Sequence, residues 1–176
     1  MLGDCACLLA PVEDRTALLT AAEALIIANA GLSRKRAFSS GRWLAHRALD
    51  MIGASTRDVL TGEGGQPLWP ESIVGSIAHT DAHALVAVAP IAQYRGIGVD
   101  VEGAGQVTSH LGELLITSRE QLLHADRDLT LIFSAKEACY KLLYPTVETY
   151  VDFREVEIDD VDEAAGTFRA RYIASY

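Results

Sequence analysis

Apolar residues recur at helical spacing between Arg15 and Ala30, where Leu18, Leu19, Ala22, Leu25 and Ile26 share a side and Gly31 follows as a stop. This predicts an amphipathic helix. A second helix is expected from Ser39 or Ser40 as cap, with Leu44, Ala48, Met51 and Ile52 on one stripe and Gly53 at its end. Two more are expected over Ser109–His124 and Leu129–Tyr144, the latter stopped by Pro145. Period-two or continuous apolar runs predict strands at Ile73–Ala78, Ala84–Ala89, Gly96–Glu102, Val151–Ile158 and Thr167–Ile173. In the last, Phe168, Ala170 and Tyr172 alternate with Arg169 and Arg171, the pattern of a strand buried on one side. Arg57–Glu71 holds Gly62, Gly64, Gly65, Pro67 and Pro70 and reads as a loop.

The 176 residues are 49% hydrophobic and 22% charged, values of a compact globular chain of one domain or two small halves. No apolar run is long enough to cross a bilayer, and Met1–Ala10 has no basic residue to begin a secretory signal, so a cytoplasmic protein is expected. Cys5, Cys7 and Cys139 form no Cys-x-x-Cys pair and read as free thiols. Fifteen basic against 24 acidic residues give a net charge of −9, which opposes salt-driven binding to nucleic acid or an anionic membrane. One stretch departs from that average. Arg34, Lys35, Arg36, Arg42 and Arg47 cluster between Gly31 and Asp50, which suits a small polyanion as well as a solvated helix face.

Asp100 and Glu102, two apart on a predicted strand, would send their carboxylates from one face. Glu137 and Lys141 stand four apart on a predicted helix and project side by side. Three carboxylates converging from these segments would offer the hard oxygen ligands that Mg²⁺ takes, leaving positions for phosphate and water. Lys141, His79 and the basic cluster would neutralise phosphate oxygens beyond the metal's reach. Plainer readings compete. Ser134-Ala135-Lys136-Glu137 is also a capping box, Asp100 and Glu102 could face solvent on an edge strand, and His79 could be structural. No Gly-x-Gly-x-x-Gly, Gly-Lys-Ser/Thr or Gly-x-Ser-x-Gly occurs, which disfavours Rossmann, P-loop and serine-hydrolase chemistry.

Gly98-Val99-Asp100-Val101-Glu102, followed by Phe133-Ser134-Ala135-Lys136-Glu137-Ala138-Cys139-Tyr140-Lys141, resembles the paired signature of the 4′-phosphopantetheinyl transferases. Gly41-Arg42 with Ala48-Leu49 and Gly53, then Pro67-Leu68-Trp69-Pro70 with Gly75-Ser76-Ile77-Ala78-His79, resemble the branch serving siderophore and other secondary-metabolite assembly lines. The resemblance implies an α+β fold of two pseudo-repeated halves, each a small, mainly antiparallel sheet packed with helices, 1–95 on the side of the coenzyme A 3′-phosphate and adenine and 96–176 carrying metal and catalytic residues, with the active site at their junction. Phe38-Ser39-Ser40 and Phe133-Ser134-Ala135 are a weak echo of such a repeat.

The implied reaction moves the 4′-phosphopantetheine arm of coenzyme A onto a serine of an apo acyl or peptidyl carrier protein. By the same resemblance Asp100, Glu102 and Glu137 match the metal acids, for Mg²⁺ or Mn²⁺. Lys141 and His79 match phosphate contacts, Arg36 and Arg42 the 3′-phosphate positions, and Gly65, Gln66 and Pro67 the segment passing the adenine, with Ser76 beside them. Glu137 and Glu120 are both candidates for the base. Three departures stand out: His46 where many relatives have arginine, Gln66 where some have lysine, and an end at Tyr176, which would leave a sheet edge unpaired. A non-catalytic homologue binding coenzyme A or carrier is the alternative reading.

Overall fold

The computed structural model describes residues 5–108, 112, 114–125, 127–147 and 152–173. The chain divides into two compact units, Met1–Val101 and Glu102–Tyr176, six residues beyond the expected division. Within the first unit the Val99 N–H donates to Ser76 Oγ at 3.1 Å, tying this segment to the strand Ile73–His79.

In the first unit, strand β1 (Ala6–Pro11) leads through a 3₁₀ turn (Thr16–Leu18) to helices α1 (Ala21–Ile26) and α2 (Leu32–Met51). A two-residue hairpin, β2 (Leu60–Thr61) and β3 (Pro67–Leu68), precedes β4 (Ile73–His79) and β5 (His83–Pro90). The sheet order is β1-β5-β4, antiparallel throughout. Helix α2 lies on it because Ala37, Phe38, Gly41, Leu44, Ala45, Ala48 and Leu49 form one buried stripe at three- and four-residue spacing. Its Leu44, Ala45, Ala48 and Leu49 meet Ala6, Ala84, Val86 and Val88 in a single core. At Gly41 the approach is close enough that a Cβ would sit 3.0 Å from Ile77 Cγ2.

The second unit holds α3 (Ser118–Leu123), α4 (Leu129–Val147), a 3₁₀ turn (Phe153–Glu155) and the hairpin β6 (Val156–Asp162) and β7 (Thr167–Tyr172). Ile116, Ile132, Ala135, Cys139, Val156 and Ile158 form its core, between α4 and β6. Gly166, at φ 65°, makes the hairpin turn.

Several expectations change. The helix expected over Arg15–Ala30 is broken, since Thr20 accepts the Glu23 N–H and starts a fresh, shorter helix. Helix α2 begins at Leu32 rather than after Ser39 or Ser40, whose hydroxyls instead hold a distant segment: Ser40 Oγ accepts the Glu13 N–H and Ser39 Oγ that of Arg15. Ser134 likewise lies well inside α4, so the capping box proposed for Glu137 does not form. Pro145 does not end α4, which runs two residues further; in the last turn a proline forfeits one hydrogen bond, to the Lys141 carbonyl.

Gly96–Glu102 is not a strand. Its alternation is real, but the Val99 donor goes to a serine side chain instead of a ladder. Strand β1 was not signalled by pattern, and β6 starts at Val156 where a strand from Val151 is expected; Val151 itself lies outside the described residues. Strand β7 alternates as expected, yet all six residues are exposed, because the hairpin buries only the β6 side. The expected helix over Ser109–His124 falls partly on residues outside those described; Gly112, Leu114 and Leu115 are helical, and α3, capped afresh by Thr117, is its final part. Cys5, Cys7 and Cys139 are free thiols.

Candidate functional site

In the first unit the coenzyme A candidates come from α2, the β2–β3 hairpin and β4. Arg42 is buried on α2 and donates through Nη2 to the Leu60 carbonyl at 3.2 Å and Thr61 Oγ1 at 3.0 Å. Its guanidinium stacks 4.4 Å from the Phe38 ring centroid. Burial pushes its pKa down to about 10, with the Glu23 charge pulling it back up, so it stays cationic at neutral pH. Arg42 Nε has no hydrogen-bond partner, and neither do the enclosed Gln66 Oε1 and Trp69 Nε1. These are two enclosed donors and one enclosed acceptor, and such groups are costly to bury unpaired.

Gly65, at φ 85°, turns the hairpin, closed by the Gly62 N–H donating to the Gln66 carbonyl at 2.8 Å, with Pro67 in β3 opposite Thr61. Arg36 is exposed and donates to the Val12 carbonyl at 3.1 Å. His79 ends β4 and is exposed. Ser76 is buried, and its hydroxyl is engaged by Val99, the residue before Asp100.

His46 does not occupy a solvent-facing phosphate position. It is buried, with Nε2 2.9 Å from Glu23 Oε1. Glu23 is completely enclosed and also accepts the N–H groups of Thr20 and Val59, both at 3.0 Å. Burial raises its pKa, but the bonds from His46, Val59 and Thr20 more than offset this and hold it below the ordinary carboxylate range.

In the second unit α4 presents Glu137 and Lys141 side by side, with Lys141 Nζ 3.6 Å from Glu137 Oε2 and about a quarter of each side chain exposed (24% and 26%). At 3.6 Å this is a long ion pair rather than a tight hydrogen bond. One residue earlier the helix turns Lys136 inward. Lys136 Nζ donates to Glu120 Oε2 at 2.6 Å, the Phe153 carbonyl at 2.8 Å and the Leu115 carbonyl at 3.0 Å. Burial holds its ammonium below the usual lysine range, against the pull of Glu120. Glu120, 0% exposed, also accepts the Thr117 N–H and the Ile158 N–H, each at 2.8 Å.

The three metal candidates are divided between the units, Asp100 in the first and Glu102 and Glu137 in the second. Among the described residues no three His, Cys, Asp or Glu side chains are grouped as ligands of an ion. As donors the three fit a hard divalent cation, all being carboxylates. Among the buried polar residues that sequence reasoning did not single out are Glu23, His124, Thr130, Lys136 and Glu157. For Glu23 the available signal was Thr-x-x-Glu, the capping-box pattern, present at both Thr20 and Thr117.

Comparison with known proteins covers both units. A family model described as the 4′-phosphopantetheinyl transferase N-terminal domain matches residues 21–89, and one for the 4′-phosphopantetheinyl transferase superfamily matches 96–175. The chain is 33% identical over 172 residues to the 4′-phosphopantetheinyl transferase Svp of Streptomyces mobaraensis, spanning 92% of this chain and 68% of that one. It is 32% identical over 166 residues to Npt of Nocardia iowensis, spanning 86% and 73%. Enterobactin synthase component D of Salmonella typhimurium is 39% identical over 121 residues, 64% of this chain and 50% of that protein. Among the described residues no helix is long and apolar enough to cross a membrane.

Proposed function

The chain belongs to the 4′-phosphopantetheinyl transferase superfamily, and from that premise we propose how its own residues carry out the transfer. The enzyme moves the 4′-phosphopantetheine arm of coenzyme A to a serine of an apo carrier protein. The pathway is siderophore or related secondary-metabolite synthesis in the cytoplasm, a reading supported by the likeness to enterobactin synthase component D.

Asp100, Glu102 and Glu137 would hold a divalent cation, Mg²⁺ or Mn²⁺, which when bound supplies charge stabilisation to the pyrophosphate. Lys141 neutralises a phosphate oxygen once Glu137 turns to other partners, and His79 serves the same chain of phosphates. Arg42, with Arg36, receives the 3′-phosphate, and Gly65, Gln66 and Pro67 border the adenine. Glu137 accepts the serine Oγ proton. It is the better base candidate because a quarter of its side chain is open, whereas Glu120 is enclosed.

The observation that carries this reading is the family match across both units, joined to Glu137 and Lys141 standing together on one face of α4. Mass spectrometry of an apo carrier incubated with the protein, coenzyme A and Mg²⁺ tests it. One phosphopantetheine should be added, and Glu137→Gln should abolish the addition. Failure to modify any of a panel of peptidyl, aryl and acyl carriers would overturn the reading.

A further inference from the structure

The sequence around α1 is repeated around α3. Leu18, Thr20, Glu23, Leu25 and Leu32 recur at one constant offset as Leu115, Thr117, Glu120, Leu122 and Leu129. In each copy the threonine caps a six-residue helix and the glutamate three residues later completes the capping box. Both glutamates are 0% exposed. Their remaining hydrogen bonds go to the same two kinds of place. One is a backbone N–H beyond the following long helix, Val59 at 3.0 Å and Ile158 at 2.8 Å. The other is a nitrogen side chain on that helix, His46 at 2.9 Å and Lys136 at 2.6 Å.

We propose that Glu23 and Glu120 are a duplicated pair of positioning residues, each clamping a long helix to the chain that follows it, so that Glu120 serves Glu137 through Lys136 and takes no proton from the substrate. The proposal rests on the transferase reading above. A general base must come within hydrogen-bond reach of the proton it removes. Glu120 is closed off by its own unit, with three N–H donors on a carboxylate that has about four acceptor sites.

The first unit acts as an internal control. Glu23 is held in a similar way, by a capping turn, a distant N–H and a nitrogen side chain, His46 in place of Lys136, in a half to which the transferase reading gives no proton transfer, so such a setting does not require a base. Lys136 spends all three of its donors inward, on Glu120, Leu115 and Phe153, which fixes the rotation of α4. Glu137 and Lys141 are thereby held on the outer side. In the first unit the same clamp, through His46, sets the part of α2 that carries Arg42 one turn earlier, and through Val59 it sets the start of the β2–β3 hairpin.

The experiment compares the intact protein with Glu120→Gln, Glu120→Gln/Lys136→Met and Glu23→Gln, reading Tm and transfer kinetics with coenzyme A, Mg²⁺ and apo carrier. Glu120→Gln should lower Tm and the transfer rate and raise the Mg²⁺ concentration for half-maximal rate severalfold, because a buried ammonium loses its partner and Glu137 loosens. The double variant removes that ammonium and should recover Tm and a rate within about tenfold of the intact protein. Glu23→Gln should lower Tm and raise the KM for coenzyme A severalfold with kcat held within about threefold.

The opposite pattern overturns the proposal: Glu120→Gln with unchanged Tm and unchanged Mg²⁺ half-saturation, a rate lower by about a hundredfold or more, and no recovery in the double variant. If Glu120→Gln does not fold, the folded double variant decides by the same rate criterion. Should the intact protein modify no carrier, the transferase reading fails by itself. Matched Tm losses in Glu23→Gln and Glu120→Gln would then still support the clamp, and unchanged values would refute it.

Discussion

Ser76→Ala separates two roles for one residue: a contact to coenzyme A, as the resemblance implies, and a strap on the chain beside Asp100. In the structure the buried Ser76 hydroxyl accepts the Val99 N–H at 3.1 Å, and because the segment carrying Val99 and Asp100 is not a strand, this side-chain bond is one of those that fix it. A typical intramolecular hydrogen bond contributes ~0.5–1.5 kcal/mol net. Its loss should lower Tm by about 2–4 °C for each kcal/mol in a chain of this size. If Asp100 helps hold the divalent ion, the same loss of order should raise the Mg²⁺ half-saturation by about twofold to tenfold, since 1.4 kcal/mol is a factor of ten. Thermal unfolding followed by circular dichroism, and transfer rates titrated with Mg²⁺ at saturating coenzyme A, measure both effects. An unchanged Tm and Mg²⁺ dependence, with a raised KM for coenzyme A, would refute the strap and return Ser76 to the ligand.

Three other outcomes are expected. Gly75→Ala should destabilise by ~1–3 kcal/mol, because a Cβ there would meet Trp69 Cε2 at 2.7 Å and the Ala87 carbonyl oxygen at 2.8 Å, and a backbone carbonyl in a sheet cannot yield; urea unfolding checks it. Lys141→Ala should lower the urea midpoint only slightly, its ion pair with Glu137 being long at 3.6 Å, while transfer falls by about 10–100-fold through loss of a charged phosphate contact. Acid should weaken the fold through Glu157, where burial raises the carboxyl pKa but bonds from Arg171, Arg119 and Thr117 outweigh it and hold it below 4.5. A carboxylate depressed in the folded state contributes its stability above the unfolded pKa and loses it as pH falls through the folded one. Urea midpoints measured from about pH 6 to about pH 3 should therefore fall less steeply in Glu157→Gln than in the intact protein, and equal slopes would contradict this account.

The long helices and the β4–β5 hairpin could be read from the chain alone because their periodicity is a local property. So could the Glu137–Lys141 pairing, since a four-residue step on any helix puts two side chains together. Ser39 and Ser40 could not be placed correctly in this way. A serine offers the same hydroxyl as a cap or as a buried anchor, and only the arrival of Glu13 and Arg15 from another part of the chain decides which. Gly96–Glu102 shows the same limit for strands, where alternation states a preference but a ladder needs a neighbour.

The repeat was present in the letters at Thr20 and Thr117, yet its meaning was not. A capping box names two hydrogen bonds within one turn, while the bonds that make Glu23 and Glu120 clamps reach Val59 and Ile158, far along the chain. Sequence by itself determined most of the two long helices, the β4–β5 hairpin, the net negative charge and the residue types available for phosphoryl transfer. Tertiary structure alone decided that His46 and Lys136 face inward to buried carboxylates while Lys141 keeps an open face. Enclosure depends on what packs around a side chain, and no local pattern encodes that.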